Sequence, residues 1–557
     1  MHGSRLLIAG LVALSLFFVG CGVDEAQLRI DIVKADNPRA LALAIDAAVA
    51  EGEDGVGILT PLLDVEEVRG LYLDNVPNAA DLDETQLIEE VNRVRIAAVR
   101  GLADIGLYRA SEPLNSSAYT EDGEPLIVEA LSAEQNVRYR SEVVLALGEL
   151  DALEGDSRRE VITLIQHGVE DPAPEVRQAS AESIAALNLH EMAASLNELA
   201  ADENPGVKLS TIQAISKVAG YYLSKFQEEL AYAAGEGEGV EAETDAAGLL
   251  IPNIGYADSV LNGDGEDEVT YGDLYLEFAE QTGETMIAAL DDQEPSVRIN
   301  TAVGMLEFPF IQSLEPLVET LDDPNHQVRV AVVETLTTYE HPLLVEETTE
   351  LCGEALSDRD PTNAQHRMMA ALLLGRQRRG AGDLVAALSF EDEFWFVKLQ
   401  LINALGNIDN PEHLSVVSAY LEDEDVDVAR AAVLAVGQLG DSQDIEGLFG
   451  LIEQRPELTT AVIDAVTNLS EPQDVVAYLD TGAHSEQLVQ AAIEILSLHA
   501  DPETAPPGEL LALLASEELN LVESALGAVS GYNLEAAEAD LVTLFKRGFD
   551  SYAAYDP

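Results

Sequence analysis

The sequence is poor in the residues that staple, catalyse or bind nucleic acid. Two cysteines in 557 residues exclude a disulfide framework. Tryptophan occurs once, and aromatic residues make up only 5% of the chain. Basic residues number 29 against 103 acidic ones, a net charge of −74. Such a surface repels phosphate backbones and anionic headgroups, so no nucleic-acid partner is expected. It favours cationic partners or divalent ions. A general solvating role in salt is the preferred reading, because screening shrinks the Debye length to about 3 Å at 1 M. The chain also lacks a GxxxxGK[ST] phosphate loop, a GxSxG elbow and an HExxH zinc pair. Its nine histidines are scattered, and acidic residues are too numerous for any pair to be informative. No catalytic residue, metal ligand or cofactor is assigned, and the chain is read as not an enzyme.

What is present is apolar and periodic. Hydrophobic residues are 47% of the chain, which separates it from charged sequences that stay disordered. Residues 1–20 read as a targeting segment. Arg5 precedes an uncharged run from Leu6 to Val19, too short for a comfortable membrane span. Phe18-Val19-Gly20-Cys21 follows at once and resembles the bacterial lipobox, although Leu is more usual where Phe18 stands. The resemblance implies cleavage before Cys21 and lipid on that cysteine. An ordinary signal peptide with an incidental cysteine is the alternative. Each buried acyl CH₂ contributes about 0.8 kcal/mol, so more than one chain anchors stably. Gly22 after the cysteine, rather than Asp, implies the outer membrane if the cell is Gram-negative. Loss of Arg5 with the leader leaves 28 basic residues and a charge of −75. Cys352 then has no partner, and its helical surroundings make it a buried structural thiol.

One pattern recurs along the chain. An apolar anchor is often followed by a basic residue. A small or β-branched residue stands at +4, a mostly small one at +7 and an apolar one at +8. Val428, Ala432, Ala435, Val436 and Gly437 illustrate it, as do Val397, Lys398, Leu401, Ala404, Leu405 and Gly406. The anchors are Val94, Tyr139, Val176, Val207, Val297, Val328, His366, Val397, Val428, Leu458, Leu488 and Leu521. The base spacing is about 31, with 30 to 33 between most neighbours and 90 between Val207 and Val297. Offsets of 4, 7 and 8 share one helical face. Asp stands five residues before six anchors, at Asp171, Asp202, Asp292, Asp323, Asp392 and Asp423. Proline lies close by at Pro172, Pro174, Pro205, Pro295 and Pro324. Asp suits a tight turn or N-cap, and Pro the first helical turn. Each unit therefore reads as helix, turn, helix.

Asp171…Val176-Arg177 and Asp323-Pro324…Val328-Arg329 resemble the short bacterial form of the HEAT repeat, over about residues 85–535. The resemblance implies an all-α solenoid of stacked antiparallel helix pairs. It also implies that Arg177, Arg298 and Arg329 build ladders between neighbouring repeats rather than bind a ligand. The expected organisation is a lipoprotein signal peptide at 1–20 and an N-terminal linker with a weak first repeat at 21–84. Repeats fill 85–233 and 273–535, an acidic Gly-rich insertion separates them at 234–272, and 536–557 forms a cap or tail. Residues 52–84 read as loop-rich, and 109–124 as a lesser irregularity.

Within the insertion, Asn262-Gly263-Asp264-Gly265-Glu266-Asp267-Glu268 alternates oxygen donors, which suits calcium. It departs from the EF-hand pattern, because Asp267 stands where glycine is required, and a solvated acidic loop is the default. Phe394-Trp395-Phe396, just before the Val397 anchor, is the possible partner-binding site if exposed. Covering the core is its ordinary alternative. Function is expected to be a membrane-anchored binding scaffold in the bacterial envelope with a protein or peptide partner. Two alternatives stand beside it: a self-associating structural component of the envelope, and an accessory subunit resembling the HEAT-like bilin lyases.

Overall fold

The computed structural model describes residues 24–106, 111–120, 123–126, 133–150, 155–235, 271–340, 342–390, 393–480, 484–516 and 518–535, with isolated positions to 546. Residues 1–23, with the signal segment and Cys21, lie outside the described residues. So do 236–270, which hold nearly all of the expected insertion and its Asn262–Glu268 run. Among the described residues there are helices and short 3-10 turns, one isolated bridge between Tyr119 and Pro125, and no strand. No helix among them is long and apolar enough to cross a membrane.

The chain forms two compact units, residues 1–310 and 311–557. In the first, five helices carry the anchors: Glu84–Ile105, Ala133–Gly148, Pro174–Ala186, Pro205–Gly235 and Pro295–Gly304. Each packs against the next. Leading helices such as Gly155–Val169, Ala193–Ala200 and Tyr271–Ala289 pack alongside them. In the second unit the anchor helices are His326–Thr338, Ala364–Gln377, Trp395–Ile408, Val426–Leu439, Thr459–Leu469, Glu486–Leu498 and Leu519–Val529, the anchor Leu458 standing at the end of the 3-10 turn Pro456–Leu458 that leads into the fifth. They also stack in sequence, with Pro342–Ser357, Ala381–Leu388, Leu414–Ser418, Ile445–Gln454, Pro472–Leu479 and Gly508–Leu513 as their leading partners. Each unit is thus a stack of helix pairs.

The anchors hold each stack together. Eleven of the twelve are buried apolar side chains. His366 is half-buried, with its Nε2 2.8 Å from the Val318 carbonyl oxygen. A fully buried Val or Leu contributes roughly 1.5–3 kcal/mol, so the repeated column is one steady source of cohesion within each stack. Glycine near the end of the anchor helix sets the spacing. A Cβ on Gly375 would lie 2.7 Å from the Ala404 Cα, and one on Gly437 would lie 2.6 Å from the Ala465 Cα. Backbones this close cannot yield by a side-chain rotation.

Residues 24–84 are more helical than the sequence suggests. Helices span Glu25–Lys34, Pro38–Val49, Glu53–Leu59 and Val65–Asn75, with 3-10 turns at Thr60–Leu63 and Ala79–Asp81. Asn37 and Asp64 cap two of these helices by accepting backbone N–H bonds. Ile58, Leu59, Leu62, Leu63 and Val68 are buried. Their apolar face is split among short segments, so no 3.6-residue period runs long enough to be seen.

Candidate functional site

The Asp and Arg columns come together as an ionic ladder. The Asp171 carboxylate accepts from the Ala173 N–H two residues on, which closes the turn. The same carboxylate accepts two bonds from Arg140 of the preceding repeat, at 2.7 and 3.0 Å. Arg177 repeats the step, bonding Asp202 at 2.6 and 3.0 Å while its Nη1 donates to the Asp171 carbonyl. Lys208 takes the role towards Asp292 and Lys398 towards Asp423. Arg298 and Arg329 donate to the carbonyls of Asp292 and Asp323. Arg177 therefore links neighbouring repeats, as the resemblance implies, while these bonds of Arg298 and Arg329 close the turns of their own repeats.

Burial raises the Asp202 carboxyl, but the Arg177 bond, the Asn204 N–H and nearby cations outweigh it and hold the group below its ordinary value. Asp292 is held low in the same way by Lys208 and the Glu294 N–H. Tyr119, from the irregular stretch at 111–126, adds a third donor to Asp171 at 3.0 Å.

One rung differs from its expected form. Asp392 lies outside the described residues, and Glu393 receives Arg367 at 2.8 and 3.0 Å. Both side chains are almost fully buried. Arg367 also donates to the carbonyls of Asp358 and Asp360. The spacing of 38 before His366, rather than 31, marks the Asp358–Asp360 turn as irregular, whereas the regular spacing of 31 from His366 to Val397 carries no signal for Glu393.

Glu393 in turn shapes the aromatic cluster. Its Oε1 accepts from the Phe394 N–H at 2.9 Å, and the helix Trp395–Ile408 starts immediately after. Val397 turns inward and is wholly buried, whereas Phe394 is 41% exposed and Trp395 49%. Phe396 is half-buried between them. Its ring stacks on Phe394 at 5.5 Å and meets Trp395 edge-on at 5.9 Å. Phe394 and Trp395 do not cover the core. They form an open aromatic corner on the turn edge of the second unit.

Other recesses are less specific. A groove of about 1040 Å³ in the first unit runs over Leu41, Ile45, Ile96 and Val137, with Arg100 and Arg138 on its rim. A groove of about 540 Å³ in the second is floored by Gly375, Gly406 and Gly437. Cys352 is buried, and burial pushes its thiol up to about 12, so it stays protonated and unreactive. Among the described residues, no group of three or more His, Cys, Asp or Glu is placed to hold a metal ion.

These features define a helical-repeat protein whose conspicuous side chains serve repeat stacking or lie open at a turn edge. The chain carries HEAT repeats: the profile of the family described as HEAT repeats matches residues 124–216 and 381–467. A search of the curated proteins finds no match. Among solved structures, the karyopherin Kap121p bound to the SUMO protease Ulp1p is similar at 13% identity and a TM-score of 0.51. That match covers 95% of this chain and 50% of that one. Kap121p bound to RanGTP is similar at 12% identity and a TM-score of 0.50, covering 94% and 55%. The chain thus spans about half the length of the karyopherins it matches, and the likeness is one of fold.

Proposed function

We propose that the protein is a non-catalytic binding scaffold of the bacterial envelope, held to a membrane by lipid on Cys21 and presenting its repeats to a protein partner. The observation that carries the reading is the exposure of Phe394 and Trp395. Large aromatic side chains at the surface are the residues that dominate protein interfaces when a partner covers them. The ladder explains why they stand where they do. Buried Arg367 and Glu393 fix the turn, so the aromatic corner is held in place before any partner arrives, which lowers the entropy of binding. The two karyopherin structures were solved with protein partners bound, which supports the reading by analogy of fold. The N-terminal lipobox resemblance supports the anchor.

The test is cross-linking and copurification from membranes. The intact protein is expected in the membrane fraction with one discrete partner. Cys21→Ser is expected to move the protein to the soluble fraction, and Trp395→Ala to lose the partner while keeping the membrane. Recovery of the protein alone, cross-linked only to itself, would overturn the scaffold reading in favour of a self-associating envelope component.

A further inference from the structure

We propose that the aromatic corner at Phe394 and Trp395 docks a basic, arginine- or lysine-bearing segment of a protein partner; this rests on the scaffold reading and names the partner's chemistry. The two turns beside the corner are acidic. On one side, Arg367 ties the carbonyls of Asp358 and Asp360 to both oxygens of the Glu393 carboxylate, and Glu393 Oε1 also accepts from the Phe394 N–H. The Asp358–Asp360 turn is therefore fixed against the start of the aromatic run. On the other side, the Lys398 Nζ lies 3.9 Å from Asp423, which draws in the turn bearing Glu422 and Glu424. Asp358, Asp360, Glu422 and Glu424 are all exposed, and among the described residues none of them forms an ion pair. The Asp360 N–H and Asn363 hold the Asp358 carboxyl below its usual range, and Thr362 does the same for Asp360, so both stay charged.

The edge's own cations are already engaged. Arg367 is buried on Glu393, and Lys398 faces Asp423. Arg359 lies over the Phe390 ring, 3.8 Å from its centroid. The last contact shows on this same edge how a guanidinium and an aromatic face combine. Among the described residues no cation lies on the rings of Phe394 and Trp395, and the flanking carboxylates form no ion pair. An acidic segment or a nucleic acid is repelled here. A purely apolar segment would bury carboxylates without partners, which is unfavourable. A small quaternary ammonium needs a pocket that surrounds most of its surface, whereas this corner is open. A basic segment fits both features, its cation on a ring and its neighbours on the flanking turns.

Trp395 is the only tryptophan, so its fluorescence reports this edge alone. The experiment titrates the full chain with an oligoarginine peptide at moderate salt, with oligoglutamate as control, and follows Trp395 emission. Affinity is measured in parallel with labelled peptide. The expected result is a saturable emission change with oligoarginine only. Phe394→Ala and Phe394→Leu should each weaken binding by about tenfold, as removal of an aromatic anchor does. The leucine keeps the apolar packing and removes only the ring, so equal loss assigns the effect to the π face. Asp358→Asn with Asp360→Asn should weaken binding several-fold, and Glu486→Gln with Glu503→Gln should leave it unchanged. Binding without an emission change, or equal weakening by both acidic pairs, would show diffuse attraction to the acidic surface and overturn the proposal. If Trp395-dependent capture of a partner from membranes succeeds while oligoarginine fails here, the basic partner falls and the scaffold stands. If oligoarginine binds at Trp395 and membranes yield no partner, the converse holds.

Discussion

At the residue scale, the pair Arg140–Asp171 carries the argument. Both side chains are nearly or fully buried, and each leaves the other uncompensated if removed. Asp171→Ala is expected to destabilise the repeats around it by about 3–5 kcal/mol, the usual cost of breaking a buried pair. The double change Arg140→Met with Asp171→Leu should restore much of that, because two apolar groups leave no buried charge. Hydrogen exchange in the helices Ala133–Gly148 and Pro174–Ala186 reads both effects, and equal instability of the two variants would contradict this assignment. The rungs at Asp202 and Asp292 also give a direction in pH. Their folded values lie below the unfolded value of about 3.9, so their contribution is complete above that pH. It fades as pH falls through and below it, and neutral pH leaves it intact.

At the scale of the element, glycine separates contact from freedom. Gly437→Ala is expected to cost about 1–3 kcal/mol by overpacking, since the new Cβ meets the backbone of the next helix. Gly447 lies in the helix Ile445–Gln454 with open space around it, and Gly447→Ala should stabilise by about 0.5–1 kcal/mol. Thermal unfolding of the two variants checks the signs. The same contrast explains what was legible. The anchors and the turn-closing Asp residues were readable because each repeat places them in one geometry at one spacing. Glu393 was not, since it sits one position off the Asp column and acts through a longer side chain. The helices of 53–75 were hidden because none is long enough to show its period. The exposure of Phe394 and Trp395 was undecided in the sequence. Residues at the first turn of a helix face inward or outward according to the turn before them, and that turn depends on Arg367 and Glu393.

At the scale of the molecule, two facts set the function apart from the fold. Stacked helix pairs make a long surface without making a specific one. A charge of −74 repels phosphate backbones and attracts cations. The site's sequence signal was a single aromatic run, and the structure adds its exposure, its rigid support and its acidic flanks. The most direct test of the central claim, that this turn edge is where a partner is held, places a photo-cross-linking residue at position 395 in the full-length protein in cells, with position 526, also well exposed, as control. The account predicts one discrete cross-linked protein from position 395 and none from 526. Equal yields from both positions, or products containing only this chain, would contradict it.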